Sequence, residues 1–334
     1  MPIREEKPPW TAVPAAVRAE TELRLRSRIV RATRAYGGYA ASATFRLALA
    51  NGRRAFFKAG YPPPPGSAAI FPIDREEKRY VALARFMGRW APRLYGSFHL
   101  EQWHVLLMED VGPATIPPWT ADKTRRAARS YARFHKSTLG ARFPVFLPKN
   151  DHLEFAVFWR ALAKSGDLAG TASLAGRRAD EAQEWLDVAL PVLREKAKEL
   201  ETARRPYALL HVDTRSDNLR LIGDRLVLFD WPFAAAGPPE FDVAAFAQAV
   251  AAEGGPAPER VLAWYEDVFP LRAREVDASI AGIAGYFADR AWRPPMPGLP
   301  RLRSIQRRQL IATLAWAARR FALPEASWLD AVKR

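Results

Sequence analysis

The stretch from 211 to 231 reads His211-Val212-Asp213-Thr214-Arg215-Ser216-Asp217-Asn218, then Leu219-Arg220-Leu221-Ile222-Gly223-Asp224-Arg225-Leu226-Val227-Leu228-Phe229-Asp230-Trp231. A polar loop is followed by two apolar runs, Leu219–Ile222 and Leu226–Phe229, with Gly223-Asp224 between them, the signature of a β-hairpin. Folding the hairpin carries Asp230 back beside Asn218. A carboxylate and an amide carbonyl then converge as hard oxygen ligands, the kind Mg²⁺ takes when phosphate oxygens complete its shell. Asp213 is left to accept a proton or to orient a hydroxyl.

Working outward, the order His-x-Asp-x-x-x-x-Asn and then a further Asp resembles the catalytic core of protein kinases. The surroundings resemble the aminoglycoside phosphotransferase family more closely, which shares the kinase-like fold. There the second acid is followed by Trp, as in Asp230-Trp231, and another Asp follows in a Gly-Pro context, as in Gly237-Pro238-Pro239-Glu240-Phe241-Asp242. Only eleven residues separate Asp230 from Asp242, too few for the activation segment of a protein kinase. The resemblance implies an α+β, two-lobed protein-kinase-like fold. A five-stranded antiparallel lobe over residues 1–110 would bind nucleotide, and a mostly helical lobe over 111–334 would hold the catalytic residues and the acceptor.

Length and composition agree with two soluble lobes, each with its own core. The longest apolar runs, such as Val243–Ala252, are far short of a bilayer span. The first residues, Met-Pro-Ile-Arg-Glu-Glu-Lys, lack the apolar segment of a signal peptide, so a cytoplasmic enzyme is expected. The absence of cysteine excludes disulfides and thiolate metal sites.

The formal charge of +15 is unusual, and residues 290–334 contribute ten Lys/Arg against two acids. This reads either as a solvated face or as an attractant for anions. Aminoglycosides are polycations, whose long-range field a basic protein opposes. A neutral or anionic hydroxylated substrate is therefore expected rather than a polycation, with nucleic acid a lesser alternative.

Along the chain, residues 1–16 read as an extended arm and Arg18–Thr33 as an amphipathic helix through Leu23, Leu25, Ile29 and Val30. Asn51-Gly52 between Ala43–Ala50 and Arg53–Lys58 is a strong hairpin signal. Gly37-Gly38 leading to Ser42 stands where the kinase-like fold places its phosphate-covering loop, although the same glycines also suit a plain turn. Lys58 ends the alternating Phe56-Phe57-Lys58, where the family holds the Lys that grips the α- and β-phosphates. Pro62–Gly66 reads as a stiff surface insertion.

Asp74–Phe86 reads as a helix with Tyr80, Val81, Leu83 and Ala84 on one face. There the family places a Glu that holds the strand Lys. Glu76 and Glu77 both qualify, and the helical period favours Glu76 on the core side, leaving Glu77 as a solvated acid at the helix start. Pro92–Phe98 and Trp103–Met108 supply two more strands. Met108, Glu109 and Val111 lie in the apolar-to-acidic run that resembles the family's purine-reading hinge.

Beyond it, Ala121–Lys136 is helical with a structural His135, and Ala179–Glu199 is a long helix after a loop around 165–176. Trp264, Tyr265, Tyr286, Phe287, Trp292, Trp316 and Trp328 read as core, and Arg293–Gly298 as a break that lies over a pocket. In the family this C-terminal region forms the acceptor pocket.

The resemblance then implies a Mg²⁺-dependent transfer of the γ-phosphate of ATP or GTP to a hydroxyl of a small molecule. Asn218 and Asp230 would hold Mg²⁺, Asp213 would act as base, and Arg215 would face the γ-phosphate. His211 and Asp242 would support the loop, while Asp217 faces water. The alternatives are a nucleotide-binding protein impaired in catalysis, and a basic surface that binds nucleic acid or membrane.

Overall fold

The computed structural model describes residues 7–36, 42–62, 73–149 and 151–333. Gly37, Gly38 and most of the Pro62–Gly66 insertion lie outside the described residues. The chain begins with a 3₁₀ turn at Trp10–Ala12 and helix α1 (Ala15–Leu25) in place of an extended arm. The sequence expectation of a helix to Thr33 fails at Arg26, whose left-handed φ of 52° ends α1. The β-branched Ile29 and Val30 then open strand β1 (Ile29–Arg34), which pairs with β2 (Ala43–Leu49). A turn at Asn51-Gly52, with Gly52 at φ 80°, leads to β3 (Arg54–Gly60). Helix α2 (Ile73–Met87), β4 (Leu94–Leu100) and β5 (Trp103–Glu109) complete an antiparallel sheet in the order β1-β2-β3-β5-β4.

The pleat decides what each face of this sheet does. Val105 and Leu107 of β5 join Phe45, Leu47 and Phe57 in a small core closed by Val17 and Leu25 of α1. Leu106 and Met108, pointing the other way, join Tyr80 and Leu83 of α2 in the main core, which continues into the helical part of the chain. On β3 the buried Ala55, Phe57 and Ala59 alternate with Phe56 and Lys58. Lys58 therefore emerges on the α2 side of the sheet. Only part of the expected α2 face is buried. Tyr80 and Leu83 pack inward, while Val81 and Ala84 are exposed, since a turn of 3.6 residues cannot bring all four to one side.

The rest is chiefly helical: α3 (Ala121–Thr138), α4 (Phe158–Ser165), α5 (Leu168–Ser173), α6 (Ala179–Lys198), α7 (Pro239–Ala252), α8 (Pro258–Glu266), α9 (Ala273–Arg290) and α10 (Leu302–Arg320). The stretch expected as a loop around 165–176 contains α5, where Gly170 meets the ring of Trp292 and leaves no room for a Cβ. Between α6 and α7 lie four short strands, β6 (Ala208–Leu210), β7 (Leu219–Ile222), β8 (Arg225–Leu228) and β9 (Ala235–Gly237). β7 and β8 form the hairpin read from the sequence, and β6 pairs with β9. No helix among the described residues is long and apolar enough to cross a membrane.

Candidate active site

The loop that leaves β6 is held from beneath by one carboxylate. Asp242, fully buried in the first turn of α7, accepts the backbone N–H of His211 and of Val212, each at 2.7 Å. The Tyr131 hydroxyl donates to the same carboxylate, and His135 Nε2 lies 3.3 Å from it. Burial alone would raise the pKa of Asp242, but His135, Tyr131 and the His211 amide outweigh it and hold the group below its ordinary value. The grip has a purpose visible in the backbone. Val212 has φ 72°, a left-handed conformation costly for a β-branched residue. The His211 ring props the other side through Nε2–H donated to Phe229 O at 3.1 Å, and burial keeps the ring neutral by lowering its pKa. Tyr131 carries no sequence motif that marks it for this role.

Above this support stand the polar side chains of the loop. Asn218 donates both amide hydrogens to Asp213, to its carbonyl at 3.0 Å and its Oδ2 at 2.9 Å. Arg215 Nη2 donates to the same Oδ2 at 3.0 Å, and its Nε lies 3.3 Å from Asp217 Oδ1. Asp217 does not face water as expected: Arg215 covers one oxygen, the other is buried without a hydrogen-bond partner, and burial pushes its pKa up to about 6. A brace unseen in the sequence reading fixes the loop's far side. Glu253, at the end of α7, accepts from Ser216 Oγ at 2.8 Å and from Trp119 Nε1 at 2.7 Å.

The hairpin then returns Asp230, at φ 69°, to the sheet-bearing half of the molecule. Lys58 Nζ lies 2.8 Å from Asp230 Oδ1 and 2.6 Å from Glu76 Oε2. Burial by itself would lower the Lys58 pKa, yet the two carboxylates overcome it and raise the value above that of a free lysine. The same ammonium holds Asp230 below its ordinary range against burial, whereas burial prevails at Glu76 and pushes it up to about 7. Glu77 is not a solvated acid. It accepts from Ser97 and pairs with His104 Nε2 at 2.7 Å, so it ties α2 to β4 and β5.

The donor set suits a small hard cation. Asp230 has a second oxygen beyond the one on Lys58, and Asn218 Oδ1 has no hydrogen-bond partner among the described residues. Both are oxygens, which fits Mg²⁺ better than a softer metal. Residues 32–276 match the model of the phosphotransferase enzyme family. The chain belongs to that family.

Three solved structures share the phosphotransferase's kinase-like fold. The spectinomycin phosphotransferase APH(9)-Ia, in complex with ADP and spectinomycin, superposes with a TM-score of 0.60 at 11% identity, over 96% of this chain and 100% of its own. An aminoglycoside phosphotransferase from Alicyclobacillus acidocaldarius gives 0.53 at 15% identity, over 91% and 86%. The choline kinase LicA from Streptococcus pneumoniae gives 0.51 at 12% identity, over 88% and 96%. No curated protein matches by sequence.

At the edge of the phosphotransferase's sheet, the remaining sequence candidates are distributed unevenly. Met108 is buried in the main core. The Glu109 N–H is committed to Arg93 O at 2.9 Å, while the Val111 N–H has no partner among the described residues. Asp110, next to them, is engaged by Arg46 through Nε and Nη2 and accepts the Gly112 N–H, which stiffens this turn. Ser42 is buried just before β2.

On the other side of Asp213 a cavity of about 460 Å³ opens between the loop and the C-terminal helices of the phosphotransferase. Asp213, Arg215 and Asp230 line it together with Tyr286 and Arg290 of α9 and Arg303 of α10. Met296 and Leu299 lie against it, so the 293–298 break does border a pocket.

Proposed function

We propose that this phosphotransferase moves the γ-phosphate of ATP or GTP to a hydroxyl of a neutral or anionic small molecule, in the cytoplasm. The observation that carries the reading is the meeting of Lys58 with Asp230 across 172 residues of sequence, beside Asp213 and next to a cavity large enough for a small acceptor. The bound ADP of the spectinomycin phosphotransferase supports a nucleotide at the corresponding cleft.

In this reading Lys58, fixed by Glu76, neutralises charge on the α- and β-phosphates, and the Val111 N–H meets the purine edge beside Glu109 and Met108. Gly37, Gly38 and Ser42 contribute the cover over the phosphates. Asn218 and Asp230 hold Mg²⁺, which when bound neutralises phosphate oxygens. Asp213 orients the acceptor hydroxyl and takes its proton as the new O–P bond forms and the bond to the departing nucleoside diphosphate breaks. Arg215 is held against Asp213 and Asp217, so its guanidinium stands at the entrance to the reacting centre without free rotation. His211 and Asp242 keep the loop in place. The net charge of +15 supports a neutral or anionic acceptor.

Radiolabelled ATP with Mg²⁺ and a panel of hydroxylated metabolites tests the reading. Asp213→Ala is expected to lower transfer about 10²- to 10⁴-fold, the usual contribution of a positioned base, while nucleotide still binds. Transfer at the wild-type rate in that variant would rule the mechanism out. A protein that binds nucleotide but releases no labelled phosphate in a single turnover would instead be an impaired relative.

A further inference from the structure

Three arginines, Arg215, Arg290 and Arg303, line the acceptor cavity. Three carboxylates line it, but Asp213 is hydrogen-bonded by Arg215, Asp230 is paired with Lys58, and Glu154 is exposed. The guanidiniums of the C-terminal helices are less well matched. Arg290 lies 3.0 Å from Asp289, which is also 2.7 Å from Arg293, and Arg293 reaches Asp167 at 3.5 Å. Arg303 donates only to neutral oxygens: Pro294 O at 2.9 Å, Arg290 O at 3.1 Å and Gln306 Oε1 at 2.7 Å. Arg307 makes one long contact, 3.4 Å to Ala291 O. Among the described residues no carboxylate pairs with either of these last two. Of these arginines Arg290 and Arg303 line the cavity that also holds the candidate base, and Asp289 is the one carboxylate paired with either of them among the described residues.

Burial and then the neighbouring Arg290 lower the Arg303 pKa, consistent with cations crowded beyond their local counter-charge. The other groups facing the cavity are aromatic, aliphatic, the Thr214 hydroxyl, the Met296 thioether or neutral amides. Tyr286, near enough to feel both Asp213 and Arg290, stands with Phe155 and Phe241 among them. A guanidinium anchored by carbonyls, with no carboxylate partner, is preorganised to receive an oxyanion.

We propose that the acceptor carries an acidic group, a carboxylate or a phosphate, received by Arg290 and Arg303, while its hydroxyl reaches Asp213 and its apolar body lies against Tyr286 and Phe155. The assignment rests on the phosphotransferase reading for the hydroxyl end and on the cavity alone for the acidic end. It also explains discrimination. An ammonium placed at this end would meet two guanidiniums, and a neutral amide would leave them without the charge they lack.

The test uses the full chain with ADP and Mg²⁺ and three matched probes: 4-(hydroxymethyl)phenylacetate, its primary amide, and 4-(aminomethyl)benzyl alcohol. Binding is followed by ligand-observed NMR and transfer by labelled ATP. The acid is expected to bind about 10-fold or more tightly than the amide, with the amine weakest. Arg303→Gln should weaken the acid about 10- to 100-fold, appearing in KM more than in kcat, and Arg303→Lys should restore part of the loss. Arg290→Gln gives a second reading should Arg303→Gln disturb the 294–303 segment. Equal or tighter binding of the amide or the amine, or no binding by any probe, overturns the assignment. Transfer to the amide or amine at rates above the acid also overturns it while leaving the phosphotransferase reading intact. Arginine-dependent binding of the acid without transfer supports the anion site and counts against the transfer chemistry.

Discussion

Asp242→Asn is the perturbation that most directly tests how the loop is held. The carboxylate, itself fully buried, accepts from His211 N, Val212 N and the Tyr131 hydroxyl, and sits beside the buried His135. An amide offers one oxygen and one donating NH₂, so at least one backbone N–H would face another donor. Hydrogen bonds to a charged group contribute roughly 1.5–3 kcal/mol each, and an unsatisfied buried donor costs about 1–3 kcal/mol. Allowing for relaxation, the expected loss is about 3–5 kcal/mol of global stability, the range for breaking a buried charged network. That is a large part of a typical stability of about 5–15 kcal/mol, yet compatible with a folded protein.

The functional consequence follows from Val212. Its left-handed backbone, which costs about 1–3 kcal/mol, is retained only while Asp242 holds the amides of His211 and Val212. Once released, residues 211–213 relax and Asp213 shifts. A displacement near 1 Å at the reacting centre costs on the order of 10²-fold in kcat. Urea denaturation and steady-state kinetics measure the two effects, and nucleotide affinity should change little because Lys58 and Asp230 keep their ion pair. A stability loss under about 1 kcal/mol, or kcat within about threefold of wild type, would refute the claim that this carboxylate sets the loop.

Two further changes separate binding from folding. Glu76→Gln should weaken nucleotide binding about 10- to 100-fold, because Lys58 loses the carboxylate at 2.6 Å and swings toward Asp230. Its stability should change by less than about 1 kcal/mol, since burial already pushes Glu76 up to about 7 and works against its charge. Tryptophan fluorescence titration with ADP checks the first, and an unchanged dissociation constant would contradict it. His152 is buried with neither ring nitrogen partnered, and burial lowers its pKa to about 4. The unfolded chain takes up this proton near pH 6.5 and the folded one does not until about 4, so stability falls as pH drops through that window, by about 3 kcal/mol from this group. Denaturation curves of His152→Asn should show a correspondingly shallower decline between those pH values, and parallel curves would dismiss the assignment.

The sequence shows the elements whose signals are local. Asn51-Gly52, the alternation through Phe56-Phe57-Lys58 and the Gly223-Asp224 hairpin each appear where a short-range rule places them. Errors arise where a distant partner decides. Arg18–Thr33 carries helical spacing throughout, but β2 offers Ile29 and Arg31 to Arg34 a strand to pair with, and the helix stops at Leu25. Glu77 looks like a solvent-facing acid until β4 and β5 bring Ser97 and His104 across it. Glu253 carries no motif at all, and only the fold sets it between Ser216 and Trp119.

The same distinction separates the two ends of the candidate site. The oxygen-bearing groups of the transfer centre come from one loop and one hairpin, held by backbone contacts to a single buried Asp242, so their order in the chain already encodes their convergence. The acceptor end is built from side chains on helix faces: Tyr286 and Arg290 four apart on α9, Arg303 and Gln306 three apart on α10. Each pair marks one face of one helix, and nothing local says that the two faces turn toward each other, or toward Asp213. Such positions can change without disturbing the loop, because none of them touches the Asp242 network. A phosphoryl-transfer centre of fixed geometry can therefore be joined to acceptor pockets of different charge, and in this chain the exchangeable part carries Arg290 and Arg303.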